Sequence, residues 1–295
     1  MVVKALSINI DKLQEILSVV RPISWGAADI LQSYYRGEAQ KDLNVNEDKK
    51  DGPVTAADLA TNRYILDKLK EAFKNEDFGY LSEETHKGST EPIPGEWVWI
   101  IDPLDGTRDF IDKTGEYAIH IALTYQRRPV LAVVAVPEQE KLYYATIGGG
   151  TFVETRDGQI SSIAVSSKNT IEELYLVASR THRDDRFKQL IERLPFKDKN
   201  YVGSVGCKIS TILEQQSDVY ISLSGKSAPK DWDFAAPELI LTEAGGQFTH
   251  FSGEALTYNK GDVKQWGGIM ASNGRCHQAL CQQATEILAD IDNKN

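Results

Sequence analysis

The spacing of apolar residues changes along the chain, and this change constrains the fold more than any other feature. Over the first 75 residues, apolar side chains recur every three or four positions, as in amphipathic helices. From residue 97 to 147 they form short β-branched and aromatic runs, separated by the Arg128-Pro129 turn and a glycine-rich turn at 148–150. The first half is therefore predicted to consist of helices covering an antiparallel meander, with Pro22 interrupting the first helix.

A second regime begins at about residue 164, where predicted strands and helices alternate along the chain, as in α/β proteins. The pattern predicts strands at 174–178, 219–223 and 268–271, with helices at 184–194, 208–214, 234–244 and 276–291. With 295 residues, the chain has room for about two domains of ~150 residues. We predict an α/β protein with an α+β domain at 1–165 and an α/β domain at 166–295.

The charge balance excludes several function classes. The chain has 33 Lys and Arg against 43 Asp and Glu, a net charge of −10, which argues against binding to nucleic-acid polymers or anionic membranes. No apolar run approaches the ~18 residues of a membrane span, the N-terminus lacks a signal-peptide pattern, and the three cysteines form no CxxC pair. These features favour a cytoplasmic protein. They leave room for a small phosphate ligand, because metal ions can decide the charge of a pocket.

Two carboxylates stand where a buried strand is expected to end. The sequence D-P-L-D-G-T at 102–107 directly follows the apolar run at 97–101. Proline fixes φ and glycine permits a positive φ, so Asp102 and Asp105 can converge on one point, where a divalent cation would relieve their repulsion. A turn whose Asp side chains cap their own backbone explains the same residues when they are taken alone.

Three further acids have simple explanations when each is taken alone. Glu83 follows a short apolar run at 78–81, Asp233 opens an apolar helix as an N-cap would, and Asp58 is a first-turn acid of a helix predicted over 56–73. Oxygen donors of this kind suit Mg²⁺. The histidines that form no ligand-spaced pair receive no role: His86, His120, His250 and His277.

Together these acids resemble the signature of the inositol monophosphatase-like superfamily of metal-dependent, lithium-sensitive phosphatases. The matching segments are E-E at 83–84, D-P-L-D-G-T at 102–107, W-D-F-A-A at 232–236 and E-A-G-G at 243–246. The resemblance runs from about residue 51 to 273. It implies a five-layer α-β-α-β-α sandwich with the active site between its halves.

Within that superfamily the chain is most similar to the 3′(2′),5′-bisphosphate nucleotidases, which convert 3′-phosphoadenosine 5′-phosphate to AMP in sulfur metabolism. The match rests on P-V-T-A-A-D at 53–58, D-G-T-R-D-F at 105–110, S-R-T-H at 179–182, and G-S at 203–204 followed by Lys208. Gly52 and Thr181 stand where this branch has serine.

The resemblance implies a role for each matching residue. Two Mg²⁺ ions would be held by Glu83, Asp102, Asp105, Asp233 and the Leu104 carbonyl. Asp58 and Thr107 would orient and deprotonate the attacking water, and a third, weakly held ion shared with catalytic Glu83 is left open. The substrate phosphates would contact Gly106, Thr107, Ser179, Thr181, His182, Gly203, Ser204 and Lys208. For Lys208, an exposed helix lysine is the alternative.

Other functions are compatible with part of this set of residues. An inositol monophosphatase or a sugar bisphosphatase would share the metal site and differ in the pocket. A non-catalytic sensor of adenosine phosphates is disfavoured, because every metal-ligand position holds an acid and Thr107 is present. The expected partner is a small nucleotide, and the branch resemblance favours a monomer over a dimer.

Overall fold

The computed structural model describes residues 10–39, 55–181 and 184–294. The chain begins with two helices, α1 (Ile10–Tyr35) and α2 (Ala56–Ala72). The predicted interruption at Pro22 is wrong, because α1 runs through it. A proline inside a helix costs about 3 kcal/mol, but buried side chains such as Val20 and Ala27 continue the packed face on both sides of it. The loop predicted at 44–53 lies outside the described residues.

The first sheet has seven strands in the order of the chain, with β1 parallel to β2 and every later neighbour antiparallel. This confirms the predicted meander and extends it by two strands, β6, which is mostly half-buried, and β7, which is largely exposed, and neither has a buried apolar run. A short helix, α3 (Thr107–Ile111), follows β2. The strands are β1 (Gly79–Ser82), β2 (Trp97–Asp105), β3 (Ala118–Tyr125), β4 (Arg128–Val136), β5 (Lys141–Thr146), β6 (Gly150–Thr155) and β7 (Ile160–Ile163).

The second sheet has five strands in the order β11-β12-β10-β8-β9. The three predicted strands are confirmed, whereas the two edge strands β9 and β11 were not predicted, because they are short and mostly polar. The strands are β8 (Tyr175–Ser179), β9 (Asp198–Val202), β10 (Val219–Leu223), β11 (Gln247–His250) and β12 (Gly268–Ser272). The accompanying helices are α4 (Asp185–Arg193), α5 (Val205–Leu213), α6 (Asp231–Glu243) and α7 (His277–Lys294).

The alternation of side chains along the strands places helices on both faces of each sheet. On β2, Trp99 packs with α1 and α2, whereas its neighbour Ile100 packs with α5 and α6. On β12, Ile269 faces α5 and α6, whereas Met270 packs with α4 and α7. The result is the predicted α-β-α-β-α sandwich, in which α5 and α6 form the middle layer.

The two sheets are joined by a connection between Ile163, where β7 ends, and Tyr175, where β8 begins. The domain boundary near residue 165 falls in this connection and stays a prediction. Within the described residues, the helices include none that combines the length and apolar character needed to cross a membrane.

Candidate active site

The end of β2 brings two acids to one side of the strand. In a regular strand, residues three apart point to opposite faces. The pairing with β3 shifts register between Asp102 and Asp105, so that Asp102 pairs with His120 and Asp105 with Ala118. Pro103 and Leu104 thus stand opposite the single residue Ile119, one extra residue on β2, and this irregularity lets both carboxylates reach the same point.

A third carboxylate completes a cluster at this point. Asp233 lies in the first turn of α6, where its Oδ2 accepts a hydrogen bond of 2.6 Å from the Lys230 N–H. One carboxylate oxygen each from Asp102, Asp105 and Asp233 lies within 4.8 Å of the others. The sheet supplies two of these acids and the middle helix layer supplies the third, and their role as metal ligands stays a prediction.

Crowding of like charges in a buried place raises the pKa of two of the three acids. Burial and the charges of Glu83, Asp105 and Asp233 raise the pKa of Asp102 well above its usual range. Burial and the Asp105 charge raise the pKa of Asp233 to about 6. Glu83 directly follows β1, and its N–H donates to the Ile101 carbonyl at 3.2 Å. From this position its charge raises the pKa of Asp102.

Asp105 is the exception, because it has favourable neighbours. Burial works to raise its pKa, but His120, Lys208 and the Gly206 N–H outweigh burial and lower it. The Gly206 N–H donates to Oδ2 at 2.8 Å, and Nε2 of His120 lies 3.2 Å from the same oxygen. Sequence reasoning passed over His120, although its pairing opposite Asp102 on the neighbouring strand could have indicated it.

The donor set fits a divalent cation. The three clustered carboxylates are hard oxygen ligands, and such a cation would remove the repulsion that raises the pKa of Asp102. Asp102, Asp105 and Asp233 are the residues that could hold it, and the further ligands Glu83 and the Leu104 carbonyl stay a prediction.

A threonine and an aspartate lie beside the cluster in the arrangement needed to handle a water molecule. The Thr107 hydroxyl lies 3.3 Å from Oδ1 of Asp58 and 3.3 Å from the Leu104 carbonyl oxygen. Asp58 Oδ2 accepts the Thr55 N–H at 2.7 Å, and the two residues form a capping box at the start of α2. Burial raises the pKa of Asp58 to about 6, so its carboxylate can exchange a proton near neutral pH.

Comparison of the chain with known protein families shows what kind of enzyme this site belongs to. Residues 12–289 match the model described as the inositol monophosphatase family. The chain belongs to the inositol monophosphatase family. It is therefore a metal-dependent phosphatase.

Two kinds of relative accompany the family match. The 3′(2′),5′-bisphosphate nucleotidase CysQ of Salmonella typhimurium is 31% identical over 82% of this chain and 93% of its own length, and that of Aggregatibacter actinomycetemcomitans is 29% identical over 84% and 87%. The inositol-1-monophosphatase of Bacillus subtilis is 26% identical over 78% of this chain and 82% of its own.

The solved structures agree on the fold. The inositol monophosphatase (IMPase) of Thermotoga maritima superposes with a TM-score of 0.76, with 24% identity, over 94% of this chain and 99% of that one.

In this member of the inositol monophosphatase family, Gly106 joins the metal-ligand turn to the second half. Its φ of +91° favours glycine, and a Cβ there would lie 2.9 Å from both the Glu116 carbonyl oxygen and the Cβ of Ser204. Thr107 begins α3 directly after it. A residue larger than glycine would not fit at position 106, between the metal-ligand turn and the segment that contains Ser204.

The lysine predicted to meet a phosphate is buried. Lys208 is 2% exposed, donates to the Gly203 carbonyl and has its pKa lowered by burial, so the alternative of an exposed helix lysine is wrong. Ser204 caps α5 by accepting the Cys207 N–H at 3.0 Å. Gly203, Ser204 and Lys208 therefore meet near Asp105, whose charge acts on Lys208.

The turn after β8, which is predicted to bind phosphate, contacts the segment that follows the metal-ligand turn through Arg180, a residue that received no role of its own from the sequence. Arg180 forms ion pairs of 2.5 Å with Asp109 and 2.7 Å with Glu116. Glu116 also accepts the Gly203 N–H at 2.6 Å. Ser179 ends β8 and Thr181 lies just beyond it, whereas His182 falls outside the described residues.

One part of the family signature has a structural role. Glu243, at the end of α6, accepts the N–H groups of Gly148 and Gly150 at 2.9 and 3.0 Å. It thus holds the turn between β5 and β6 and does not belong to the acidic cluster.

Proposed function

We propose that this phosphatase hydrolyses the 3′-phosphate of 3′-phosphoadenosine 5′-phosphate to give AMP and phosphate, with Mg²⁺ as its cofactor. The observation that carries the proposal is the placement of the Asp58–Thr107 pair beside the carboxylate cluster. The substrate is proposed because relatives named as bisphosphate nucleotidases cover most of this chain at about 30% identity.

The reaction requires a water molecule to be oriented and to lose a proton. The Thr107 hydroxyl has one proton, which it can give to Oδ1 of Asp58 or to the Leu104 carbonyl, so its lone pair remains available to the water. Asp58, with a pKa of about 6, is ionised at neutral pH and accepts the proton. Mg²⁺ held by the acids would supply charge neutralisation of the phosphate oxygens and a lowered pKa of the water.

The phosphate that is not hydrolysed is proposed to bind to the second half. Lys208 supplies a positive charge close to the cluster, because Asp105 and Asp109 act on it. Ser179, Thr181, His182, Gly203 and Ser204 would surround the same phosphate.

Phosphate release from two substrates tests the proposal. We expect 3′-phosphoadenosine 5′-phosphate to be hydrolysed with Mg²⁺ much faster than inositol 1-phosphate. Turnover of inositol 1-phosphate alone would replace the nucleotidase proposal by an inositol monophosphatase, the function that the Bacillus subtilis relative is named for. Turnover that is independent of Mg²⁺ would contradict the proposed mechanism for either substrate.

A substitution at the cluster tests the role of the third carboxylate. Asp233→Asn should abolish turnover and leave the fold intact, because the amide keeps an oxygen for the Lys230 N–H and loses only the charge. Asp11, another first-turn acid, lies in α1 and provides a matched control. Near-wild-type activity of Asp233→Asn, as expected for Asp11→Asn, would show that Asp233 is merely a helix-capping residue.

A further inference from the structure

A buried histidine connects two of the metal-ligand segments. His120 on β3 is fully buried and pairs with Asp102 in the sheet register. Its Nδ1 lies 3.1 Å from the Trp232 carbonyl oxygen, and its Nε2 lies 3.2 Å from Oδ2 of Asp105. A carbonyl oxygen can only accept, so Nδ1 donates to it, and Nε2 donates to the Asp105 carboxylate when the ring carries both protons.

The two contacts join parts of the site that come from different layers. Asp105 ends β2 of the first sheet, and Trp232 directly precedes Asp233 in the middle helix layer. The imidazole is a rigid ring that touches one segment with each nitrogen. It therefore acts as a spacer between the carboxylate of Asp105 and the beginning of α6.

The surroundings leave the ring no room to shift. A Cβ on Gly206 would lie 2.5 Å from Nε2 of His120 and 2.6 Å from the Cβ of Ala118, so only glycine allows α5 to pack here. The Gly206 N–H donates to Oδ2 of Asp105. Oδ2 is thus contacted from two sides, by the Gly206 N–H and by Nε2 of His120.

We propose that His120 is a positioning residue that sets the distance between Asp105 and Asp233 and thereby the affinity of the cluster for a divalent cation. The inference rests on the metal-binding part of the proposed function. Mg²⁺ demands near-ideal octahedral geometry with oxygens at about 2.0–2.1 Å, so small displacements of one ligand weaken binding. Residues that orient metal ligands typically contribute about 10–100-fold in affinity.

Mn²⁺ binding without substrate tests this role, with free Mn²⁺ measured by electron paramagnetic resonance. The side-chain nitrogen of glutamine can replace Nε2, and that of asparagine can replace Nδ1. We expect His120→Gln to keep the contact with Asp105 and bind Mn²⁺ within about 3-fold of wild type. His120→Asn and His120→Ala should bind about 10-fold or more weakly. If His120→Ala does not fold, the Mn²⁺ affinities of His120→Gln and His120→Asn are compared with each other, and equal affinities would contradict the positioning role.

The control is a second buried histidine away from the cluster. His277 lies 2.8 Å from the Thr249 hydroxyl through Nε2 and 2.8 Å from the Ser272 hydroxyl through Nδ1. His277→Ala should lower the melting temperature and leave Mn²⁺ affinity unchanged. An equal loss of Mn²⁺ affinity in this control would show that the effect at His120 is one of general stability, and would overturn the proposal.

The remaining outcomes separate this inference from the proposed function. If the wild-type protein binds Mn²⁺ and folded His120→Asn binds it equally well, the positioning role is wrong and the metal site stands. If the wild-type protein binds no Mn²⁺, the proposed metal site is wrong, and the inference falls with it.

Discussion

Asp102 and Asp218 are buried aspartates with opposite surroundings. Asp218, which precedes β10, is fully buried and accepts from the Ser166 hydroxyl at 2.5 Å, the Lys168 ammonium at 2.8 Å and the Tyr175 N–H at 2.9 Å. Among the described residues, Asp102 has a single hydrogen-bond donor, the Leu104 N–H at 3.0 Å, and three acids close by.

The difference distinguishes buried acids that stabilise the fold from buried acids that bind a ligand. A buried charge is costly unless it is paired and hydrogen-bonded. The surroundings of Asp218 meet that requirement within the chain, whereas those of Asp102 meet it only when a cation joins the cluster. Burial alone therefore does not indicate a metal site, but burial with mutual repulsion and few donors does.

The same contrast exists within one helix. Glu238, in the middle of α6, is held by Arg128 and by the Tyr258 hydroxyl at 2.6 Å. Asp233, in the first turn of that helix, has the Lys230 N–H as its hydrogen-bond donor and Asp105 as a repelling neighbour. Helix α6 thus carries one acid that ties it to the first sheet and one that faces the cluster.

The largest effect that this comparison predicts is on catalysis. Asp102→Asn should lower kcat/KM by at least about 100-fold, because a metal ion supplies several kcal/mol of transition-state stabilisation and 1.36 kcal/mol corresponds to tenfold. The metal-free variant should be at least as stable as the wild type in urea, because the repulsion is removed. A variant that is both active and destabilised would break the distinction between the two aspartates.

The second prediction concerns pH. In metal-stripped protein, burial and the Asp105 charge raise the pKa of Asp233 from its ordinary value of 3.8 to about 6. The folded state therefore binds more protons than the unfolded state between pH 4 and 6, so this group makes stability fall as the pH rises through that window. Each pKa unit corresponds to 1.36 kcal/mol, giving at most about 3 kcal/mol.

Urea denaturation of wild type and Asp233→Asn at several pH values checks this sign. The stability advantage of the variant should be small near pH 4 and should grow until about pH 7. If the stability advantage does not change with pH, the ionised carboxylate of Asp233 is not destabilised by burial and the Asp105 charge, and the prediction is wrong.

The smallest expected effect is at the satisfied aspartate. Asp218→Asn removes the charge that pairs with Lys168 and leaves one hydrogen-bond donor facing another, which should cost about 1–3 kcal/mol of folding free energy. The kcat of the folded variant should match that of the wild type. A drop in kcat with unchanged stability would mean that Asp218 serves the reaction after all.

Local patterns in the chain predicted much of this architecture. The run at 97–101 that precedes Asp102 predicted strand β2, and the period change along the chain indicated the meander and the α/β half. The prediction was wrong at Pro22, because packing on both sides of a helix can outweigh one lost hydrogen bond. It missed β9 and β11, because polar edge strands carry little apolar periodicity.

By itself, the amino-acid sequence determined the meander, the α/β half and the identity of the acids, because periodicity, turn chemistry and side-chain type are local properties. The five-layer sandwich followed from the resemblance of its contiguous motifs to a family. Only the tertiary structure decided how each acid is surrounded. Whether His120 meets Asp105, whether Arg180 joins Asp109 to Glu116, and whether Lys208 is buried all depend on contacts between segments far apart in the chain. Those contacts set the local charge and solvation, which no spacing of residues along the chain reveals.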